Sequence, residues 1–248
     1  MIVDSHAHIR TAEDAELGAM LRAADRAGVD KVCISSLGRQ QPEFPSEADL
    51  DQAAGDVLAA VAKHPDRFVG YAYVSADHVE KSLEVVERTI ANGPCRLVKL
   101  WVSQYADDVR LDPIMARIEE LDVPVMAHTW MKATGNMTKE STYDHVVRLG
   151  RRHPGLKVWL AHYGGRWEEA ARVVRQQPNV CMDVCGGEPE DRIVECLLKH
   201  VGPERLFYGS DAPGRSFVVQ MTKVTSAGIP EESKKLILGD NIRRWIRD

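Results

Sequence analysis

Eight short apolar runs alternate with amphipathic segments along this chain, and that alternation restricts it to a parallel sheet covered by helices. The runs span residues 2–9, 29–37, 67–76, 95–102, 123–129, 156–163, 180–186 and 205–210. They are rich in Val, Ile, Leu, Tyr and Trp, and several are apolar on both faces, as strands buried on both sides are. Helical periodicity fills the gaps, most clearly at 15–28, 46–64, 78–93 and 167–177. Ser46 and Asp112 stand where helix N-caps are expected; Gly28, Gly93 and the segment His153-Pro154-Gly155 stand where helices stop. Eight strands, each followed by a helix, predict a single-domain α/β fold over residues 1–248, a (β/α)8 TIM barrel and not an open doubly wound sheet. The one long strand-to-helix connection, 129–142, carries Gly135 among polar residues and is expected to be a mobile lid or a substrate-contacting loop.

Composition narrows the partners. With a net charge of −5 and no long Lys/Arg run, nucleic acid is not expected to bind. No stretch reaches the roughly 18 uninterrupted apolar residues of a membrane span, so no membrane partner is expected. Asp4, His6, His8 and Arg10 make the first residues unlike a signal peptide. The five cysteines are odd in number and scattered. On a strand, Cys181 and Cys185 would lie about 13 Å apart, beyond disulfide reach. A reducing, cytoplasmic setting is therefore expected.

Chemistry enters at the ends of the apolar runs. Asp4, His6 and His8 occupy the first, Lys99 the fourth, His128 the fifth, His162 the sixth and Asp211 the last. Imidazoles and carboxylates are costly to bury without partners. Insertions of metal-ligand type, all late in their strands, point to one shared site at the C-terminal rim, where a divalent cation would explain them. Alternation along a strand puts His6 and His8 on one face together with Asp4. Barrel closure would bring Asp211 beside that pair. Hydrogen-bonded core histidines, and a turn role for Asp211 in Asp-Ala-Pro-Gly, are the competing readings.

Taken together, these residues resemble the amidohydrolase superfamily, specifically the amidohydrolase-2 group of metal-dependent barrel hydrolases and decarboxylases. The resemblance rests on Asp4-x-His6-x-His8, Lys99 in VKLW, His128, His162 in AHYGG, Gly209-Ser210-Asp211 and the GDNIRRW of 239–245, and it covers essentially the whole chain. It implies that His6, His8, His128 and Asp211 bind one divalent ion, with Zn²⁺ the first expectation and Mn²⁺ the next. It implies that His162 stays off the ion and touches its bound water or the substrate, and that Asp211 relays a proton. Zinc at an open site lowers the pKa of bound water to about 7, and a ring with a reference pKa of about 6.5 suits His162 to proton handling. Asp4 is read either as a hydrogen-bond acceptor that fixes a histidine tautomer or as a strand-end residue bonded to backbone.

Lys99 has three readings: a contact to a substrate carboxylate, a carboxylated lysine bridging a second ion, or a structural ion pair. Trp130 and Arg166 are the further substrate-binding candidates, with Trp101, Lys132, Glu188 and Arg215 beside them at the mouth. His64, His78, His145, His153 and His200 read as surface residues on helices.

The expected activity is metal-dependent hydrolysis of a C–O or C–N bond (lactone, ester or amide) in a small, carboxylate-bearing metabolite. The alternative is non-oxidative decarboxylation of an aromatic or unsaturated carboxylic acid. A TatD-type phosphoesterase is disfavoured because 70–76 offers no Glu ligand. A non-enzymatic metal-binding barrel is disfavoured because every expected ligand is present. Barrels of this group often associate, so a homo-oligomer is expected.

Overall fold

A computed structural model describes residues 1–187 and 190–247. Eight parallel strands run in sequence order around a barrel: β1 (Val3–His8), β2 (Lys31–Ser35), β3 (Phe68–Tyr73), β4 (Leu97–Leu100), β5 (Val125–Ala127), β6 (Val158–Leu160), β7 (Val180–Asp183) and β8 (Leu206–Phe207). Between β8 and β1 the ring closes through Ser5 N–H to Tyr208 O at 3.0 Å and a parallel bridge from Ala7 to Ala212. Helices α1 (Asp14–Ala27), α2 (Glu47–Lys63), α3 (Val79–Val86), α4 (Asp112–Glu120), α5 (Tyr143–Arg152), α6 (Trp167–Val174), α7 (Ile193–Val201) and α8 (Phe217–Thr225) follow the strands, with α9 (Glu231–Lys235) and α10 (Asn241–Ile246) at the end. The single-domain (β/α)8 barrel read from the sequence is the observed fold.

Local signals act where they were expected. Ser46 Oγ accepts from Asp49 N–H at 3.2 Å while Asp49 accepts from Ser46 N–H at 2.9 Å, a capping box that starts α2. Gly28 ends α1 at φ 72°, a left-handed turn that costs glycine little. Asp112 differs: it is already helical, because a 3₁₀ turn at Val109–Leu111 leads into α4 and Leu111 occupies the cap. His153 is buried, not exposed, and bonds Asp112 at 3.1 Å.

The barrel interior is layered. One residue from each strand, from Val3 on β1 to Phe207 on β8, forms a lower layer with Ile242 and Ile246 of α10 beneath it. The Trp159, Phe207 and Trp245 rings meet edge to face at 4.8 to 5.7 Å between centroids and seal that end. The barrel's interior opens at the opposite rim. The fifth, sixth and eighth runs pair over fewer residues than their apolar patterns span. His128, His162 and Asp211 therefore lie just past regular pairing, at the rim of the barrel. No helix among the described residues is long and apolar enough to cross a membrane.

Candidate metal centre and active site

At that rim β1 carries a register shift between Asp4 and Ala7. The shift separates Asp4 from the histidines that strand alternation would have aligned with it. Asp4 accepts from Ser210 N–H (2.9 Å), His6 N–H (2.9 Å) and the Ser210 hydroxyl. It ties the end of β8 to β1 and, among the described residues, makes no bond to a histidine ring, so the backbone-bonded reading of Asp4 is the observed one. Burial pushes its pKa up to about 7 against the pull of these donors.

The acceptor that orients His6 is Asp183, at the end of β7. Its Oδ2 lies 3.0 Å from His6 Nδ1, and its Oδ1 accepts from the N–H of His162 (2.7 Å) and of Cys185 (3.2 Å). His8 Nδ1 faces Ser35 Oγ at 2.8 Å. With both Nδ1 atoms engaged, the Nε2 atoms of His6 and His8 turn toward each other at 3.2 Å. Asp211 Oδ1 stands 3.5 Å from His8 Nε2 and 3.8 Å from His6 Nε2. Ligand atoms about 2.1 Å from one divalent ion sit about 3.0 to 3.4 Å from each other, so these three donors have the spacing of a shared cation. Two imidazoles and a carboxylate, with a carboxylate behind one of them, are a donor set for a divalent transition ion.

His128 joins the site differently from the expectation. Its ring centroid is 5.0 Å from that of His162, but its Nε2 is held by Glu140 Oε1 at 2.9 Å and stays outside the three-donor cluster. Glu140 comes from the 129–142 loop and is almost fully buried. It also accepts from Lys132 Nζ at 2.8 and 2.9 Å and from Met137 N–H at 3.0 Å. Burial resists its ionisation, yet the bonds from His128, Lys132 and Met137 outweigh that and bring its pKa down to about 2.

Lys99 is fully buried on the floor, its Nζ 3.2 Å from His6 Nε2. Among the described residues no carboxylate lies within ion-pair distance of it, which removes the structural ion pair. Burial lowers its pKa to about 8, partly countered by Asp211 and other nearby acidic groups. Burial likewise drives His6 and His162 well below the ordinary histidine value and lowers His8 and His128. Asp211 goes the other way. Burial opposes its charge, but the His8 hydrogen bond and the surrounding imidazoles hold it far below the carboxylate range.

Backbone strain concentrates here. His162 (φ 56°) and Asp211 (φ 60°) are left-handed non-glycine residues, each costing on the order of 1–3 kcal/mol. Each is pinned by one strong backbone bond, His162 N–H to Asp183 and Asp211 N–H to the His6 carbonyl at 2.7 Å. Gly186 (φ 64°) packs so closely on His162 that a Cβ there would collide with the ring.

Above the donors opens a cavity of about 550 Å³, lined by His8, His128, His162 and Asp211 below and by Trp101 and Trp130 at the sides. The Trp130 ring lies 4.6 Å from that of His162. Arg10, Lys132 and Arg215 reach the mouth. Arg166 does not: it is exposed, pairs with Glu169 at 3.1 Å and lines a separate surface depression, because the 3₁₀ turn at His162–Gly164 carries the chain outward before it. Glu188 lies outside the described residues. Asp183, Cys185 and Glu140 are the site residues that the sequence reading missed. Asp183 ends β7 but lies inside the apolar run of 180–186; Glu140 lies in a polar loop with no pattern to mark it.

The model of the Amidohydrolase family matches residues 3–247. A gamma-resorcylate decarboxylase of Rhodococcus jostii (strain RHA1) is 28% identical over 156 residues, covering 50% of this chain and 47% of the relative, so the match spans about half of that protein's length. The crystal structure of 5-carboxyvanillate decarboxylase from Sphingomonas paucimobilis superposes with a TM-score of 0.79 at 16% identity, over 99% of this chain and 98% of that one. A dihydroxybenzoic acid decarboxylase from Polaromonas sp. JS666, solved with bound manganese and 2-nitroresorcinol, gives 0.78 at 16% identity over 99% and 96%. At such identities the structures establish the shared fold. These relatives decarboxylate aromatic acids, which overturns the expectation of a C–O or C–N hydrolase, and the ion named in the Polaromonas structure is manganese where zinc was expected. With its motifs, its barrel and a family match from end to end, the chain belongs to the amidohydrolase family.

Proposed function

We propose that this chain is a metal-dependent, non-oxidative decarboxylase of an aromatic carboxylic acid. The observation that carries the reading is the placement of the Trp130 ring and His162, 4.6 Å apart, in the cavity above the His6–His8–Asp211 donors. A flat ring fits against Trp130 with its oxygens toward the donors and one carbon toward His162. The decarboxylase relatives support the same assignment.

His6, His8 and Asp211 would hold the ion, with His128 reaching it once its Nε2 leaves Glu140. Mn²⁺ is favoured over Zn²⁺ by the manganese-bearing relative. When bound, the ion supplies Lewis-acid charge to the substrate's carboxylate and hydroxyl oxygens. Lys99 adds positive charge on the floor, while Arg10 and Arg215 draw the anion to the mouth. His162 transfers a proton to the ring carbon that bears the carboxylate. The C–C bond then breaks, its electron pair restores the aromatic ring, and CO₂ leaves. Solvent returns a proton to His162, so one proton is consumed per turnover. Asp211, held ionised, keeps neighbouring imidazoles in place.

The test is incubation of Mn²⁺-loaded protein with a panel of hydroxybenzoates, including 2,6-dihydroxybenzoate and 5-carboxyvanillate, with CO₂ release followed. Stoichiometric CO₂ and phenol from at least one member is expected. Absence of CO₂ across the panel from protein that binds the ion would refute the reading.

A further inference from the structure

Cys185 sits between two histidines of the site. Its Sγ is 2.9 Å from His6 Nδ1 and 3.3 Å from His162 Nδ1, and all three residues are buried. The two nitrogens are not equivalent. His6 Nδ1 faces the Asp183 carboxylate at 3.0 Å, and a carboxylate accepts, so this nitrogen is a donor. Toward His6 the sulfur can only be a second acceptor. His162 Nδ1 has no other hydrogen-bond partner among the described residues, and the thiol has a single proton to give. The Asp183 carboxylate beside the thiol already accepts from His6 Nδ1 and from the N–H of His162 and Cys185, so we assign the thiol proton to His162 Nδ1. A ring nitrogen that accepts a hydrogen bond cannot carry the proton of a neutral imidazole, so the proton sits on Nε2. Asp183 holds the arrangement rigid by accepting from the N–H of both Cys185 and His162. Gly186, next in the chain, lies so close that only a residue without a Cβ fits against the ring.

We propose that Cys185 is a positioning residue that fixes His162 as the Nε2–H tautomer and so presents a proton, not a lone pair, to the cavity. The catalytic consequence rests on the decarboxylase reading, in which His162 must donate to a ring carbon; the tautomer itself does not. An Nε2 that begins as a lone pair must first take a proton from solvent before it can deliver one; the Nε2–H tautomer begins with the proton in place, and the thiol proton passes to Nδ1 as that one leaves, so no imidazolate forms. The thiol thus does for His162 what Asp183 does for His6, with the opposite sign: one acceptor and one donor set opposite tautomers in adjacent rings.

Long-range ¹⁵N–¹H spectra of the ¹⁵N-labelled, Zn²⁺-loaded protein read this directly, with His162→Gln supplying the assignment. In wild type the unprotonated, downfield nitrogen of His162 should be the one whose strong coupling is to Hε1 alone, which is Nδ1. Cys185→Ala should lose that preference, and Cys185→Ser, which keeps a donor, should restore it. On an accepted aromatic acid, Cys185→Ala should lower kcat by roughly 10- to 100-fold with KM unchanged, and Cys185→Ser should recover most of it. A wild-type spectrum showing Nδ1–H, or Cys185→Ala and Cys185→Ser behaving alike, would overturn the proposal. The wild-type spectrum decides even if a variant fails to fold. Should the tautomer be as stated while no acid loses CO₂, the decarboxylase reading fails and the role of Cys185 stands.

Discussion

Asp183 on β7 reaches past β8 to hold His6 on β1, its carboxylate 3.0 Å from the ring's Nδ1. The bond makes the His6 Nε2 lone pair available to an ion. Asp183→Asn puts an amide where the acceptor was and should weaken Mn²⁺ binding by roughly 10- to 100-fold, as loss of such carboxylate partners does. Calorimetric titration checks it. Undiminished affinity would separate Asp183 from the metal centre.

Glu140 holds the 129–142 loop to the barrel through Lys132 and His128. Glu140→Gln removes the charge from a buried, bidentate pair and leaves Lys132 uncompensated. The loop should become protease-sensitive and the urea midpoint should fall, by an amount equivalent to about 1–3 kcal/mol. Equal proteolysis rates in both proteins would show that the loop does not depend on this contact.

His6, His8, His128 and His162 all titrate below the ordinary histidine value, so the metal-free protein resists protonation that the unfolded chain accepts. Their folded pKa values are depressed, so stability is fully present above the unfolded value. It falls as pH drops through about 6.5, by at most about 1.4 kcal/mol per pH unit for each histidine. Urea midpoints at descending pH measure the slope, and His162→Gln should reduce it. Glu140 adds a second loss at lower pH. Its folded value of about 2 stabilises the protein above the ordinary carboxylate range, and that contribution disappears as pH falls from about 4.5 toward 2.

Gly186→Ala places a methyl against the His162 ring and forces a left-handed alanine. Turnover should drop at least about tenfold while the ion is retained, since His162 is displaced and the three donors are not. Loss of the ion with the activity would make His162 a ligand.

Much of the fold and half of the site could be read before the structure. The eight apolar runs carry the barrel because buried parallel strands need apolar residues on both faces. His6, His8, His162 and Asp211 are visible because polar groups at the ends of such runs demand a reason. Asp4 was aligned with the wrong neighbours because a strand irregularity leaves no mark in an alternating pattern. Asp183 and Cys185 lie within the apolar run of 180–186 and not past its end, so a search for polar residues at run ends passes over them. Glu140 could not be found, since its burial depends on how a polar loop folds back on the rim. Arg166 was misplaced by assuming that any residue just past a strand lines the mouth. The choice between hydrolysis and decarboxylation depends on where a substrate carbon meets a proton donor, which ligand spacing alone does not encode.

The most direct measurement is turnover of 2,6-dihydroxybenzoate by Mn²⁺-loaded protein in D₂O, with CO₂ and product followed together. The expected result is one CO₂ per phenol formed, one deuteron at the carbon that lost the carboxylate, and loss of both signals in His162→Gln that still binds the ion. Undiminished turnover in that variant, or CO₂ release without deuteration at that carbon, would contradict it.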